Sequence, residues 1–545
     1  MFNEVVLIFI PSMDCISTRL PYRQTGYFTK TVLDYIDQAE KLKPFFAQPP
    51  SLQGIQKTIE ARKQFSTNRK VLVEELKKQY ATVSPSQHVQ QNIEALLSEN
   101  TFTITTAHQN NIFTGPLYFI YKILHTIKLA THLTTSLPQY KFVPVFYMGS
   151  EDADLDELGH IHLGGQKIEW KTKQTGAVGR MKIDREYIKL VELISGQLTV
   201  LPFGADILSL VKRCYKEGAM IQDATFELVN ALFGEYGLLV LMPDNTALKN
   251  EMAKIFEDDL LNQTASGIVE QTAKKLEEAK YKTQAHPREI NLFYLKDGLR
   301  ERIVRKNTGY RIQNTELIFS EKELLNELEK YPERFSPNVI LRGLFQEMVL
   351  PNIAFVGGGG ELAYWLELKE LFEHYKTPFP VLVLRNSFLI VEKKWQEKIA
   401  KLGFTTEDFF LSEQELTNRL VARESKNATK LNGNFTEAEQ LYEVVKKQAA
   451  AVDTSLIKHV EALKSQSLQR LQELEKKMLR AEKRKFTDHQ RQIHAIKENL
   501  FPANGLQERL ENVLYYYAKW GKDFIQKLHE QSLALEQEFV VLMEK

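Results

Sequence analysis

Five segments of strand pattern, four of them apolar runs, recur along this chain, each ending in a polar cluster and separated by segments of helical pattern. Thr101–Thr106 alternates and leads into Ala107–Thr114, and Phe142–Met148 ends in Gly149-Ser150-Glu151-Asp152. Leu238–Met242 ends in Pro243-Asp244-Asn245, Ile353–Val356 in Gly357–Gly360, and Val381–Leu384 in Arg385-Asn386-Ser387. Short apolar runs alternating with helices predict a doubly wound α/β core. In that architecture ligands sit beyond the carboxyl ends of the strands, where these polar clusters fall.

The glycine run is the sharpest of the five. Four glycines let a backbone take positive φ and approach a ligand closely. Glu361 then opens a helix with Leu362, Trp365, Leu368 and Phe372 on one face. The N–H groups of such a turn are suited to anions or polar substrate groups.

Two stretches interrupt the alternation. Residues 165–200, with Lys167-Ile168-Glu169-Trp170-Lys171, predict an inserted β excursion, and 280–320 predict a second. The core is therefore expected in three pieces, 13–164, 226–262 and 336–400, with insertions at 165–225 and 263–335. Residues 401–434 are polar and irregular and predict a linker. From Phe435 to about Arg484 there is no Gly or Pro. Val452, Leu456, Val460, Leu463, Leu471, Leu474, Met478 and Ala481 form an apolar stripe there, with a polar gap at Ser467. With the shorter helix that stops at Pro502, this predicts a coiled-coil hairpin over 435–502 that self-associates. Residues 503–545 predict further helices, one face carrying Phe524, Leu528, Leu535 and Phe539.

A net charge of +1 over 545 residues demands neither nucleic acid nor an anionic membrane as partner. Cys15 and Cys214 are too few for a disulfide framework or a cysteine zinc site, as in a reducing cytoplasm. Val5–Ile10 is shorter than a signal h-region, follows an acid and is stopped by Pro11, and no run reaches the ~20 apolar residues of a membrane span. The expectation is a soluble cytoplasmic protein, with residues 1–12 an upstream extension and Met13 the functional start.

Each polar cluster has a bland and a chemical reading. His108, Gln109, Asn110 and Thr114 present donors and acceptors in a turn that opens a helix, although Thr114 is equally a helix cap. Glu151, Asp152, Asp154, Asp156 and Glu157 are five acids in seven positions. The last three suit capping, whereas Glu151 and Asp152, nearest the strand end, are suited to an amine or Mg²⁺. His160 and His162 read as structural, and no residue is assigned to a metal. Arg342, with Asn338 and Gln346 nearby, is suited to gripping a carboxylate or phosphate, or to an internal ion pair with Glu347 or Glu361. Arg385 carries the same two readings. Tyr516 and Trp520 are able to stack a nucleotide base or to pack a helix core. Walker A, Gly-x-Ser-x-Gly and Lys-Met-Ser-Lys-Ser motifs are absent.

Thr-Gly-Pro-Leu-Tyr at 114–118, Gly-x-Glu-Asp-x-Asp-Leu-Asp-Glu at 149–157, Arg-Phe-Ser-x-Asn-Val at 334–339 and Gly-Glu-x-x-Tyr-Trp at 360–365 occur here in order. Together they resemble the BshC family, the cysteine ligases of bacillithiol biosynthesis, over essentially the whole chain from Met13. The pattern departs at Ala107-His108-Gln109-Asn110, where glycine and glutamines are expected, and at Gly359, where proline is expected. The resemblance implies a Rossmann-like core with two connecting-peptide insertions and a coiled-coil domain that makes a homodimer. It implies a reaction joining L-cysteine to the amine of glucosaminyl malate; because a carboxylate is a poor acyl donor, ATP with Mg²⁺ is the expected activating partner. On that reading His108, Asn110 and Thr114 address phosphate or carboxylate oxygens, Glu151 and Asp152 hold an amine or Mg²⁺, and Arg342 and Arg385 pair with anionic groups. Gln109, Asn338 and Gln346 complete a polar wall. Gly357, Gly358, Gly359 and Gly360 admit the substrate, and Glu361 and Tyr364 orient it. Two rival readings are an adenylating nucleotidyltransferase that does not ligate and a non-catalytic coiled-coil scaffold.

Overall fold

A computed structural model describes residues 13–306, 309–425 and 430–545. The expected extension at 1–12 lies outside them. The chain forms two compact units, one ending at Ile390 and resuming at Gly505, the other spanning Val391–Asn504.

The first unit is built on five parallel strands, β1 (Thr101–Gln109), β2 (Lys141–Gly149), β3 (Leu239–Leu241), β4 (Asn352–Gly357) and β5 (Val381–Leu384), in the order β3-β2-β1-β4-β5. Connections leave in opposite directions from β1 and β4, so a crevice opens beyond their carboxyl ends. The threonines of β1 do not mark a solvent face, because Thr101–Thr106 are buried throughout. Their hydroxyls instead bond across the switch point: Thr105 Oγ1 donates to Asn352 Oδ1 at 2.8 Å and Thr106 Oγ1 to the Val356 carbonyl at 2.8 Å. A buried hydroxyl left unpaired there would be costly. Helix α1 (Tyr118–Ser136) follows β1, α2 (Val339–Val349) precedes β4, and α3 (Gly359–Trp365) follows it.

The first insertion is not mainly β. Its strands are confined to the hairpin His160–Leu163 with Gln166–Glu169, after which helices Arg185–Leu198 and Gly204–Cys214 follow. Tyr187, Val191, Ile194 and Leu198, buried at helical spacing, decide the second part. The second insertion does carry a sheet. Five antiparallel strands run in the order Ile318–Phe319, Gly309–Ile312, Leu299–Lys306, Leu292–Lys296, Phe335–Pro337.

At the C-terminus, helices Val513–Trp520 and Lys522–Gln531 precede a strand, Glu538–Glu544, that pairs antiparallel with Cys15–Pro21. Phe539 therefore lies on a strand and not on the expected helix; the contiguous run Phe539-Val540-Val541-Leu542 favours extended backbone. His125 of α1 ties this segment down. Its ring nitrogens contact the Ala534 carbonyl at 2.8 Å and the Asn386 N–H at 3.0 Å, so Nδ1 accepts and the ring is neutral. Burial pushes its pKa down to about 4. The unfolded chain takes up a proton near pH 6.5 that the folded ring refuses. Stability is thus complete above that pH, and about 3 kcal/mol is lost as pH falls towards 4. Urea midpoints of the wild type and His125→Gln should converge over that window.

In the second unit, helices Asn432–Val452 and Leu456–Lys483 form an antiparallel hairpin. Lys446–Glu461 at 2.5 Å, Lys464–Glu443 at 2.9 Å and Tyr442–Ser467 at 2.5 Å set its register, so Ser467 is paired and not a gap. The reversal falls at 453–455, inside the stretch read as one continuous stripe. The stretch read as a linker contains helix Glu413–Glu424. Helix Thr487–Leu500 buries Ile493, Ile496 and Leu500, and its Lys497 donates to the Phe409 and Leu411 carbonyls. Among the described residues, no helix is long and apolar enough to cross a membrane.

Candidate active site

A cavity of about 680 Å³ opens at the carboxyl ends of β1 and β4, within the range of small-molecule sites. β1 contributes Ala107, His108 and Gln109; β2 contributes Gly149, with Asp152 and Glu157 just beyond it. α2 contributes Val339 and Arg342, the glycine turn and α3 contribute Gly358–Glu361 and Tyr364, and the segment after β5 contributes Arg385. Tyr118, Phe293, Arg300, Asn338 and Arg509 complete the lining.

Most of its charges are paired inside the protein. Arg342 grips Asp152 with two hydrogen bonds, at 2.8 and 2.5 Å, and Gln109 Nε2 donates to the same carboxylate at 2.7 Å. Arg300 approaches Asp152 at 3.5 Å and lies 3.9 Å over the Phe293 ring. Although burial raises the Asp152 pKa, the two guanidinium groups and Gln109 hold it well below the usual carboxylate range. Arg385 donates to Glu508 at 2.7 Å and to Ser387 Oγ at 3.1 Å. Glu361 receives Lys122 at 2.7 Å and the Gly358 N–H at 2.8 Å. His108 is half-buried with its Nε2 enclosed, and desolvation with the nearby Lys122 and Arg385 drives its pKa well down, so its imidazole is neutral. Its Nε2 has no hydrogen-bond partner among the described residues.

The glycine turn works sterically. None of Gly357–Gly360 takes positive φ. A Cβ at Gly357 would stand 2.6 Å from the Phe355 ring, and one at Gly359 2.9 Å from Val32. A Cβ at Gly358 would lie in ordinary contact with Glu361 and Arg385, at 3.4 and 3.6 Å, on the cavity wall. Left-handed backbone occurs instead at Phe113, Thr114 and Gly115, with φ of 48°, 72° and 68°. Such a conformation is strained for a β-branched residue and persists only where surroundings hold it. Asn512 does so, its Nδ2 donating to the carbonyls of Phe113 at 2.9 Å and Gly115 at 2.5 Å.

Comparison with known proteins gives this geometry a family. The model for "Bacillithiol biosynthesis BshC, N-terminal Rossmann-like domain" matches residues 13–386, and that for "Bacillithiol biosynthesis BshC, C-terminal coiled-coil domain" matches 388–544. The chain belongs to the BshC family. A Flavobacterium psychrophilum protein named "Putative cysteine ligase BshC" is 38% identical over 532 residues, covering 97% of this chain and 99% of its own. Proteins of the same name from Flavobacterium johnsoniae and Christiangramia forsetii are 39% and 36% identical, covering 97% of this chain and 99% and 98% of their own.

Within this BshC chain, the cavity gathers His108, Gln109, Asp152, Asn338, Arg342, Gly358, Gly359, Gly360, Glu361, Tyr364 and Arg385. Other expected residues stand elsewhere. Glu151 is buried behind the wall, paired with Lys249 and accepting from Ser336 at 3.1 Å. Lys249 is also 3.4 Å from Asp244, which Arg180 grips, so Glu151 belongs to a buried ion cluster. Asn110 turns towards Met148, Gln346 donates to Glu347, and Gly357 packs on Phe355. Thr114 neither lines the cavity nor caps a helix; its hydroxyl is buried without a partner among the described residues. Tyr516 and Trp520 stack on one another and on Phe524, with centroids 5.4–5.9 Å apart, as helix core away from the cavity. The internal partner of Arg342 is Asp152; Glu347 pairs with Arg62 and Glu361 with Lys122. Lys122, Arg300, Glu508, Arg509 and Asn512 had no distinguishing signal in sequence, while Tyr118 lies inside the Thr-Gly-Pro-Leu-Tyr motif.

Proposed function

We propose that the protein is a ligase that joins the carboxyl group of L-cysteine to the glucosamine amine of glucosaminyl malate, the last step of bacillithiol synthesis. The observation that carries this reading is full-length likeness to proteins named as cysteine ligases, combined with a polar cavity at the β1/β4 switch point.

Amide formation from a carboxylate needs the carboxyl oxygen converted to a leaving group. ATP with Mg²⁺ is the proposed co-substrate for that activation. The cavity lining carries four arginines against three carboxylates, an excess of positive charge whose field suits an anionic phosphate chain, and the unpartnered His108 Nε2 suits a polar ligand atom. Among the described residues there is no cluster of metal-ligating side chains, so the Mg²⁺ is proposed to arrive on the nucleotide phosphates. The neutral His108 imidazole positions a substrate N–H or O–H through a hydrogen bond. Gln109 and Arg342 hold Asp152 rigid, and Tyr364 with Gly358–Gly360 shapes the floor. Leu441, Val444, Leu463 and Leu474 remain exposed on the helical hairpin, an apolar stripe for the proposed homodimer. Two free cysteines, Cys15 and Cys214, support a cytoplasmic location.

Mass spectrometry of the pure protein with glucosaminyl malate and L-cysteine, with and without ATP-Mg²⁺, tests the reading. The expected result is bacillithiol only when ATP-Mg²⁺ is present, with nucleotide turnover in step. Nucleotide turnover without amide product would indicate an adenylating enzyme instead, and neither product would overturn the ligase reading.

A further inference from the structure

Seven ionisable side chains of Arg, Asp and Glu line the cavity: Arg300, Arg342, Arg385, Arg509, Asp152, Glu157 and Glu361. Five are paired inside the protein, as described above, and so cannot take up a substrate charge without losing a partner. The remaining two, Glu157 and Arg509, have opposite signs. Neither has an ion-pair or side-chain hydrogen-bond partner among the described residues, and they do not pair with each other.

Both are fixed at the wall by their backbones. Glu157 sits on a single helical turn whose start is capped by Asp154, which accepts its N–H at 3.1 Å. Arg509 follows Glu508, which is buried and accepts from Arg385, Ser387 and the Phe388 N–H. Both line the cavity with Tyr118, on whose phenol burial acts first, pushing its pKa up to about 12, then Arg385 and Glu361, with Glu157 and Arg509 after them. A ligand that carries a cation and an anion on one carbon answers both charges at once.

We propose that Glu157 and Arg509 receive the zwitterionic head of the amino-acid substrate, Glu157 its ammonium and Arg509 its carboxylate, over Tyr118. This assignment rests on the ligase reading and specifies how that site selects an α-amino acid. Charge-assisted hydrogen bonds of this kind are among the stronger ones available at a wall.

Calorimetric titration of the full chain tests it, with L-cysteine, cysteamine, which lacks the carboxylate, and 3-mercaptopropionate, which lacks the ammonium. Each is titrated with and without α,β-methylene-ATP and Mg²⁺. The wild type should bind L-cysteine about tenfold or more tightly than either truncated analogue. Glu157→Gln should lose that margin over 3-mercaptopropionate while binding the latter as the wild type does. Arg509→Gln should lose the margin over cysteamine in the same way, with partial recovery in Arg509→Lys. Circular dichroism should match the wild type for every variant, because both positions are exposed. L-cysteine binding to the wild type, with variants that bind all three ligands unchanged or lose all three equally, overturns this assignment alone. Absence of L-cysteine binding to the wild type under both conditions overturns the ligase reading and this assignment together.

Discussion

Asp152→Asn should abolish most ligation while leaving a folded protein of reduced stability. The carboxylate neutralises Arg342 through two hydrogen bonds and Arg300 at 3.5 Å, and its side chain is only 12% exposed. Asparagine fills the same volume but carries no charge, so two guanidinium groups remain uncompensated at one end of the cavity. Removing one member of a buried pair costs about 3–5 kcal/mol because the other is left alone, and partial exposure here places the cost at the low end. The rate of amide formation should fall about 100-fold or more, as Arg342 swings from a fixed position into one that competes for substrate anions. Steady-state ligation rates together with urea midpoints check this. A variant with full activity would show that the pair has no part in holding the site.

Glu347→Ala should produce the largest loss of stability. Arg62 and Glu347 are buried, with side chains 1% and 0% exposed, and meet at 2.5 Å. Glu347 also receives Gln346 at 2.9 Å and Asn352 at 2.7 Å, while Arg62 donates to the Glu347 carbonyl at 2.8 Å. Truncation leaves a guanidinium buried without a counter-charge, at a cost of about 3–5 kcal/mol. Replacing both partners, as Arg62→Met with Glu347→Leu, should return the urea midpoint close to wild type, because desolvation of the pair offsets much of its attraction. The network matters beyond stability. Asn352 opens β4 and accepts from Thr103 and Thr105 of β1, so the two strands that border the cavity are referenced to the same buried pair.

What was legible in the sequence follows from which signals are one-dimensional. Four core strands buried on both faces leave apolar runs, the fifth, Thr101–Thr106, shows its alternation, and parallel topology places their polar ends together, so all five core strands and most of the cavity floor were readable. Partner choice was not. Asp152 and Arg342 are 190 positions apart, and nothing in either motif distinguishes that pairing from Arg342 with Glu347 or Glu361. Glu151 next to Asp152 illustrates the same limit, because consecutive side chains leave a strand end in different directions. One faces the cavity and the other enters a buried cluster with Lys249. The hairpin reversal at 453–455 lacks Gly and Pro and is made by Asp453, which accepts the Ser455 N–H at 2.7 Å. Leu535 and Phe539 fit helical spacing equally well, and only the strand partner Cys15–Pro21, at the far end of the chain, resolves the choice.

That last pairing governs when the site comes into being during synthesis. Asn512 holds the strained loop after β1, Glu508 holds Arg385, and Glu538–Glu544 closes on Cys15–Pro21. The ribosome therefore releases the final structural components of the cavity last, after every strand of the core sheet has emerged. A chain interrupted before Gln507 carries the complete sheet and glycine turn but lacks the clamps that set their geometry. A chain cut there is thus expected to be inert and not partly active.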